Sequence, residues 1–139
     1  MPPKKSDNAL ELERNKAREH VIVTGAGSGI GKEFVKLFLQ DGANVLAVSL
    51  IDEELNALKE EFSGYSGMLC TLKIDLSKEN ACELVENWCQ ENRWSVDTLV
   101  NNAGFAIYSE CVECDQLRVR SMINLNVRLL TESVSYTHL

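Results

Sequence analysis

The stretch that most constrains this chain is Val21-Ile-Val-Thr-Gly-Ala-Gly-Ser-Gly-Ile-Gly31. A short β-branched run of strand type breaks into glycines, and from Ile30 onward the pattern turns helical. Ile30, Phe34, Leu37 and Phe38 fall on one face of that helix. A strand that turns through glycines into a helix start makes an anion site. The first helical N–H groups have no partners of their own, and the helix dipole favours negative charge beside them. Glycine also lets the backbone approach a phosphate that a Cβ would hold off. The spacing is not G-x-G-x-x-G, because Ile30 stands where a third glycine would be. It is Thr24-Gly25-x-x-x-Gly29-x-Gly31. Such a turn on its own suits a phosphate site or a plain tight turn.

The rest of the chain narrows the choice. Val21–Thr24 is the first expected strand, and its helix should end at Asp41-Gly42, where glycine suits the position after the C-cap. Asn44–Ser49 is apolar without interruption, as a parallel strand covered on both faces would be. A helix over Glu53–Phe62 would bury Leu55, Leu58 and Phe62, and Gly64, Ser66 and Gly67 make the next turn. Met68–Ile74 reads as a third strand, ending in Asp75. Ser77 could then cap a helix to about Glu91 with Leu84, Val85, Trp88 and Cys89 inward. Val96–Asn101 is a fourth strand, and a long helix is expected over Gln116–Glu132. Strand–helix alternation of this kind implies an α/β fold with a doubly wound parallel sheet. Sheets of that type bind ligands at the carboxyl ends of their strands. Thr24, Ser49, Asp75 and Asn102 all fall there, which points the glycine turn towards a nucleotide.

Bulk properties exclude other classes. At 139 residues there is room for one domain, and a 45% hydrophobic content is too apolar for a disordered chain. A net charge of −7 argues against nucleic-acid and anionic-membrane partners, which want a basic face. No apolar run reaches the roughly 20 residues of a membrane span. Residues 1–19 are highly charged and read as a polar leader, without the apolar core of a secretory signal. Five cysteines, an odd number, suit free thiols in a reducing cytoplasm. Cys111-Val-Glu-Cys114 has no second pair to complete a metal site, and His20 and His138 lie at opposite ends, so no metal is expected. Cys70, Cys82 and Cys89 should pack as small apolar groups.

Four motifs in order and spacing make the chain resemble the short-chain dehydrogenase/reductase family. They are Thr24-Gly-Ala-Gly-Ser-Gly-Ile-Gly31, Asp75 after the third strand, Asn101-Asn102-Ala103-Gly104 after the fourth, and Asn126 in Met122-Ile-Asn-Leu-Asn-Val127. The resemblance covers roughly residues 20–133. It implies a Rossmann-like domain over that span, incomplete here at about four strands and cut before the fifth, and an NAD(P)-dependent oxidoreductase. Thr24, Gly25, Ser28, Gly29, Ile30 and Gly31 would surround the cofactor pyrophosphate. Asp75 would accept from the adenine amino group beside the Leu76 N–H, or merely begin the turn to the next helix. Asn102, Ala103 and Gly104 would line the adenosine ribose and hold the central sheet. Asn126 would be the catalytic-site asparagine, in a kinked helix whose carbonyl anchors a water of the proton relay. Ser49 marks the 2′ position of the adenosine ribose, where NAD-dependent members carry an acid. Its hydroxyl could donate to a phosphate, so the expectation leans to NADP over NAD. Asp52 is assigned to the following turn.

The resemblance also implies hydride transfer between a nicotinamide and a small-molecule carbonyl or alcohol, and a homodimeric or homotetrameric whole protein. The family's proton donor is the tyrosine of Tyr-x-x-x-Lys after a fifth strand. Residues 1–139 contain no such motif, and Tyr136 precedes any fifth strand. Turnover by the chain as it stands is therefore not expected. Residues 134–139 break the apolar helix pattern and resemble a translated sequencing adapter, so native sequence is expected to end near Glu132 or Ser133. Two further readings stay open: a dinucleotide-binding or regulatory module without chemistry, and a fragment that cannot fold with its sheet edge exposed.

Overall fold

The computed structural model describes residues 18–104 and 115–128, with only the backbone at Leu125. Residues 1–17, residues 105–114 with Cys111 and Cys114, and everything from residue 129 lie outside that description. Four strands and four helices alternate: β1 (His20–Thr24), α1 (Gly29–Gln40), β2 (Asn44–Ser49), α2 (Asp52–Glu61), β3 (Leu69–Lys73), α3 (Ala81–Glu91), β4 (Thr98–Val100) and α4 (Gln116–Ile123). A π-helical turn, Asn124–Arg128, continues α4. The strands form one sheet in the order β3-β2-β1-β4, and every pair is parallel. This is an incomplete Rossmann-like α/β sheet.

The central strands explain the continuous apolar runs. Val21 and Val23 of β1, with Val45 and Ala47 of β2, pack against Val35 and Leu39 of α1 and Leu55, Leu58 and Phe62 at α2. Ile22, Leu46 and Val48 point the other way, onto Ile74, Leu76, Ala81, Cys82 and Cys89. Alternate residues thus serve two cores, and no position in β2 is left for water. The edge strands β3 and β4 are only half-buried along most of their length. Arg18 and Glu19 already join the fold: the Arg18 guanidinium donates to Ser66 O, and the Glu19 carbonyl accepts from Asn44 N at 2.8 Å.

The apolar face of α1 is not the face that packs. The helix after the glycines turns Ile30, Phe34 and Leu37 outward, while Gly31, Val35 and Leu39 face the sheet. A helix this close to its strands needs small or slim residues in the seam, so the largest apolar side chains lie outside it. Phe38 alone of that apolar face packs against the core, and only in part. Two expectations for α3 need correction: Ser77 does not cap it, and Leu84 does not face inward. That helix starts at Ala81 after Asn80, and Leu84 is exposed. Ser77 instead donates its backbone N–H and its hydroxyl to Asp75 Oδ1, at 3.0 and 2.6 Å. The other segments lie within a few residues of expectation as far as residue 128, where description of the helix expected over Gln116–Glu132 stops, and Gly42 follows α1 at φ +84° as a residue after the C-cap should.

Cys70, Cys82 and Cys89 form no disulfide and pack in or against the second core. Burial, reinforced by the Glu86 carboxylate, pushes the Cys89 thiol up to about 11. Burial also raises Cys70, against the opposing pull of Lys59.

Two outcomes test this packing. Leu39→Ala, at 0% exposure, is expected to cost roughly 2–5 kcal/mol in urea unfolding. Leu37→Ala, two positions along at 56% exposure, should stay within about 0.5 kcal/mol. The Cys89 proton is held more tightly in the folded chain than in the unfolded one. Its contribution is therefore whole below the ordinary thiol value and is lost as pH rises from there to about 11. Cys89→Ala should flatten that part of the stability–pH curve.

Candidate functional site

The strand order reverses between β1 and β4, since β2 and β3 extend to one side of β1 and β4 lies on the other. Crevices at such switch points are where open parallel sheets hold ligands. Here the crevice floor is fastened by one side chain. Thr24, 5% exposed at the end of β1, donates its hydroxyl proton to Val100 O at 3.3 Å. The same oxygen accepts from Asn102 N and Ala103 N, each at 3.1 Å. One donated and two accepted bonds saturate a hydroxyl. Thr24 therefore shapes the site from beneath, with no capacity left for a ligand.

Asn102 extends the fastening, its Nδ2 donating to Gly25 O at 3.1 Å. A Cβ on Gly31 would lie 2.1 Å from that carbonyl oxygen and 2.6 Å from Asn102 Nδ2. Gly25, at φ +61°, would bring a Cβ within 2.9 Å of Ala103 Cα. Gly25 and Gly31 are thus required by the protein's own packing. Gly29 differs: it sits at φ +56° and a Cβ there would meet nothing within 4 Å. It faces open space at the first turn of α1. Ser28, the N-cap, makes no side-chain cap bond, and the first turn contains no acid. The first backbone bond of the helix runs from Lys32 N to Ser28 O, so the N–H groups of Gly29, Ile30 and Gly31 precede it. A helix start that is uncapped, acid-free and opens past a glycine fits the diphosphate of a dinucleotide.

The remaining expected residues collect along the same sheet edge. Asp75 and Leu76 follow β3; Asp75 Oδ1 is engaged by Ser77, and Leu76 is buried in the second core. Lys78 Nζ stands 3.9 Å from Asp75 Oδ2. Gly104 ends the run after β4, and a Cβ there would come within 2.8 Å of Asn126 Oδ1. The two asparagines of the π-helical turn are therefore distinguishable. Asn126 lies against Gly104, whereas Asn124 Nδ2 donates to Ser77 O at 3.2 Å. Together with an Arg128–Glu79 ion pair at 3.2 Å, that bond ties the turn to the β3–α3 loop.

Ser49, at the end of β2, is 7% exposed, and its hydroxyl is already occupied. It accepts from Ile51 N at 3.3 Å and donates to Glu54 Oε2 at 3.4 Å. Glu54 carries no signal of its own in the sequence, lying five residues past Ser49 in the next helix. Its carboxylate lies against the bare Cα of Gly27, where a Cβ would come 2.0 Å from Oε2. Asp52, the acid considered instead, bonds Lys73 Nζ at 2.7 Å. That hydrogen bond and the Asp52 charge raise the Lys73 ammonium above its ordinary value. No group of three or more His, Cys, Asp or Glu that could hold a metal occurs among the described residues. None of their helices is long and apolar enough to cross a membrane.

A family model described as short chain dehydrogenase matches residues 19–134. The chain is 39% identical over 88 residues to 3beta-hydroxysteroid dehydrogenase 2 of Eggerthella lenta, a match covering 63% of this chain and 34% of that protein. A short-chain dehydrogenase from Sphingobium yanoikuyae, solved in complex with NADPH, superposes with a TM-score of 0.77 at 27% identity, over 86% of this chain and 46% of that one. The structure of a 4-hydroxyisoleucine dehydrogenase complexed with NADH gives 0.76 at 22% identity, over 86% and 48%. The chain thus spans between a third and a half of the length of these proteins.

Thr24→Val keeps the shape but removes the oxygen that receives Ala103 N–H and Asn102 N–H. It is expected to cost about 1–3 kcal/mol in denaturant unfolding, and Thr24→Ser should recover most of that loss.

Proposed function

The chain belongs to the short-chain dehydrogenase family, and from that premise we propose that the protein it represents is an NAD(P)-dependent oxidoreductase. It would move hydride between a nicotinamide and the carbonyl or alcohol group of a small molecule. The observation that carries this reading is the start of α1, uncapped and acid-free behind Gly29. Gly29, Ile30 and Gly31 would present their N–H groups to the diphosphate, and the exposed Ser28 would stand at its flank. Asp75 would receive the adenine amino group on Oδ2, the oxygen that Ser77 does not use. Asn102, Ala103 and Gly104 would form the floor under the sugar. The nicotinamide supplies or accepts the hydride when bound. Asn126, against Gly104 in a π-helical turn, would sit at the catalytic end, since such a turn frees backbone carbonyls from the regular helical ladder.

The proton that must accompany the hydride has no donor of the Tyr-x-x-x-Lys type within residues 1–139. On this reading the chain binds dinucleotide without turning it over, which is also what a binding module without chemistry would do. A homodimeric or homotetrameric whole protein belongs to the same proposal and rests on the family alone, while a cytoplasmic location rests on the odd number of cysteines.

Ser28→Asp separates a nucleotide site from a plain turn. Aspartate is a good N-cap and favours the helix dipole, so the thermal midpoint should hold or rise. The same charge would repel a diphosphate, and affinity for NADH in calorimetry should fall at least about tenfold. Absence of measurable NADH and NADPH binding by the parent chain would end the proposal.

A further inference from the structure

We propose that Glu54 makes this site select NAD(H) over NADP(H), an inference that rests on the dinucleotide reading above. A ligand with its diphosphate at the start of α1 and its adenine at Asp75 must cross the end of β2, because β2 lies between β1 and β3. That crossing is closed in on two sides. The turn after β1 is hooked onto β2 by a bond from Ala26 N to Val48 O at 3.1 Å, which sets Gly27 beside the strand end. Glu54, from the first turn of α2, fills the space between Gly27 and Ser49. Only a residue without a Cβ at position 27 leaves room for that carboxylate, since a Cβ would stand 2.0 Å from Oε2.

The adenosine sugar therefore meets a negative charge. A carboxylate holding one long bond, 3.4 Å from Ser49 Oγ, keeps acceptor capacity for ribose hydroxyls. A 2′-phosphate would bring about −1.5 to −2 charges to the same place. Ser49 offers no relief, because its proton already goes to Glu54 and its lone pair to Ile51 N. The lysine that ends β3, Lys73, is engaged by Asp52. Asp52, Glu53 and Glu54 together make the start of α2 acidic. The preference for NADP expected from an acid-free strand end is thus reversed by an acid delivered from the next helix.

The test is calorimetric titration of the whole chain with NADH and with NADPH at one salt concentration. NADH is expected to bind at least about tenfold more tightly. Glu54→Gln should bring the ratio close to one by strengthening NADPH, while Glu53→Gln, an equal change in net charge, should leave it unmoved. Equal or tighter binding of NADPH by the native chain overturns the inference, and so does a ratio indifferent to Glu54→Gln. If Glu54→Gln does not fold, the native chain decides: raising salt from about 0.05 to 0.5 M should narrow the ratio, and an unchanged ratio counts against Glu54. Failure of both nucleotides to bind removes the dinucleotide reading itself and is distinct from binding without discrimination.

Discussion

A single hydroxyl oxygen, that of Thr24, joins the two halves of the sheet edge on which every proposed contact depends. It closes the gap between β1 and β4 by giving its proton to Val100 O and receiving two N–H groups from the segment beyond. Without it, Ala103 N would lose its acceptor and Asn102 N would keep only Val100 O, in a half-buried place. Asn102, placed by this bond, reaches Gly25 O and so fixes the turn before α1. The direction of the helix start, and with it the aim of its N–H groups, follows from a strand-end threonine whose hydroxyl is spent within the protein.

The sheet was legible because its central strands leave almost no latitude. Residues such as Val45 and Leu46 are both buried though they point to opposite faces, and only a parallel strand covered twice demands that. Helix faces were harder to read. Hydrophobicity favours Ile30, Phe34 and Leu37, yet the seam against the strands is Gly31, Val35 and Leu39, where closeness of approach outweighs side-chain size. The role of Ser77 was misjudged for a different reason. A serine before a helix and an aspartate after a strand compete to organise the same few residues, and Asp75 won by taking both donors of Ser77.

The ends of the strands could be listed from the chain, but what stands beside them could not. Ser49 looked like a hydroxyl available to a phosphate because it stands at the strand end where NAD-dependent members of the family carry an acid. Glu54 reaches it only after the chain has turned into α2, a relation of five residues that neither strand nor helix periodicity expresses. Asn124 and Asn126 show the same limit. They are two apart and of one type, and the fold sends one to Ser77 O and the other to Gly104.

The interlock of Gly25, Gly31 and Asn102 has a consequence for how such a chain can change over generations. A methyl at position 31 collides at once with the carbonyl of residue 25 and with the amide that holds it. No single replacement among the three relieves the others, so their effects on stability should not add. They are inherited as one trait written in three places, and drift at one is blocked until the other two have moved.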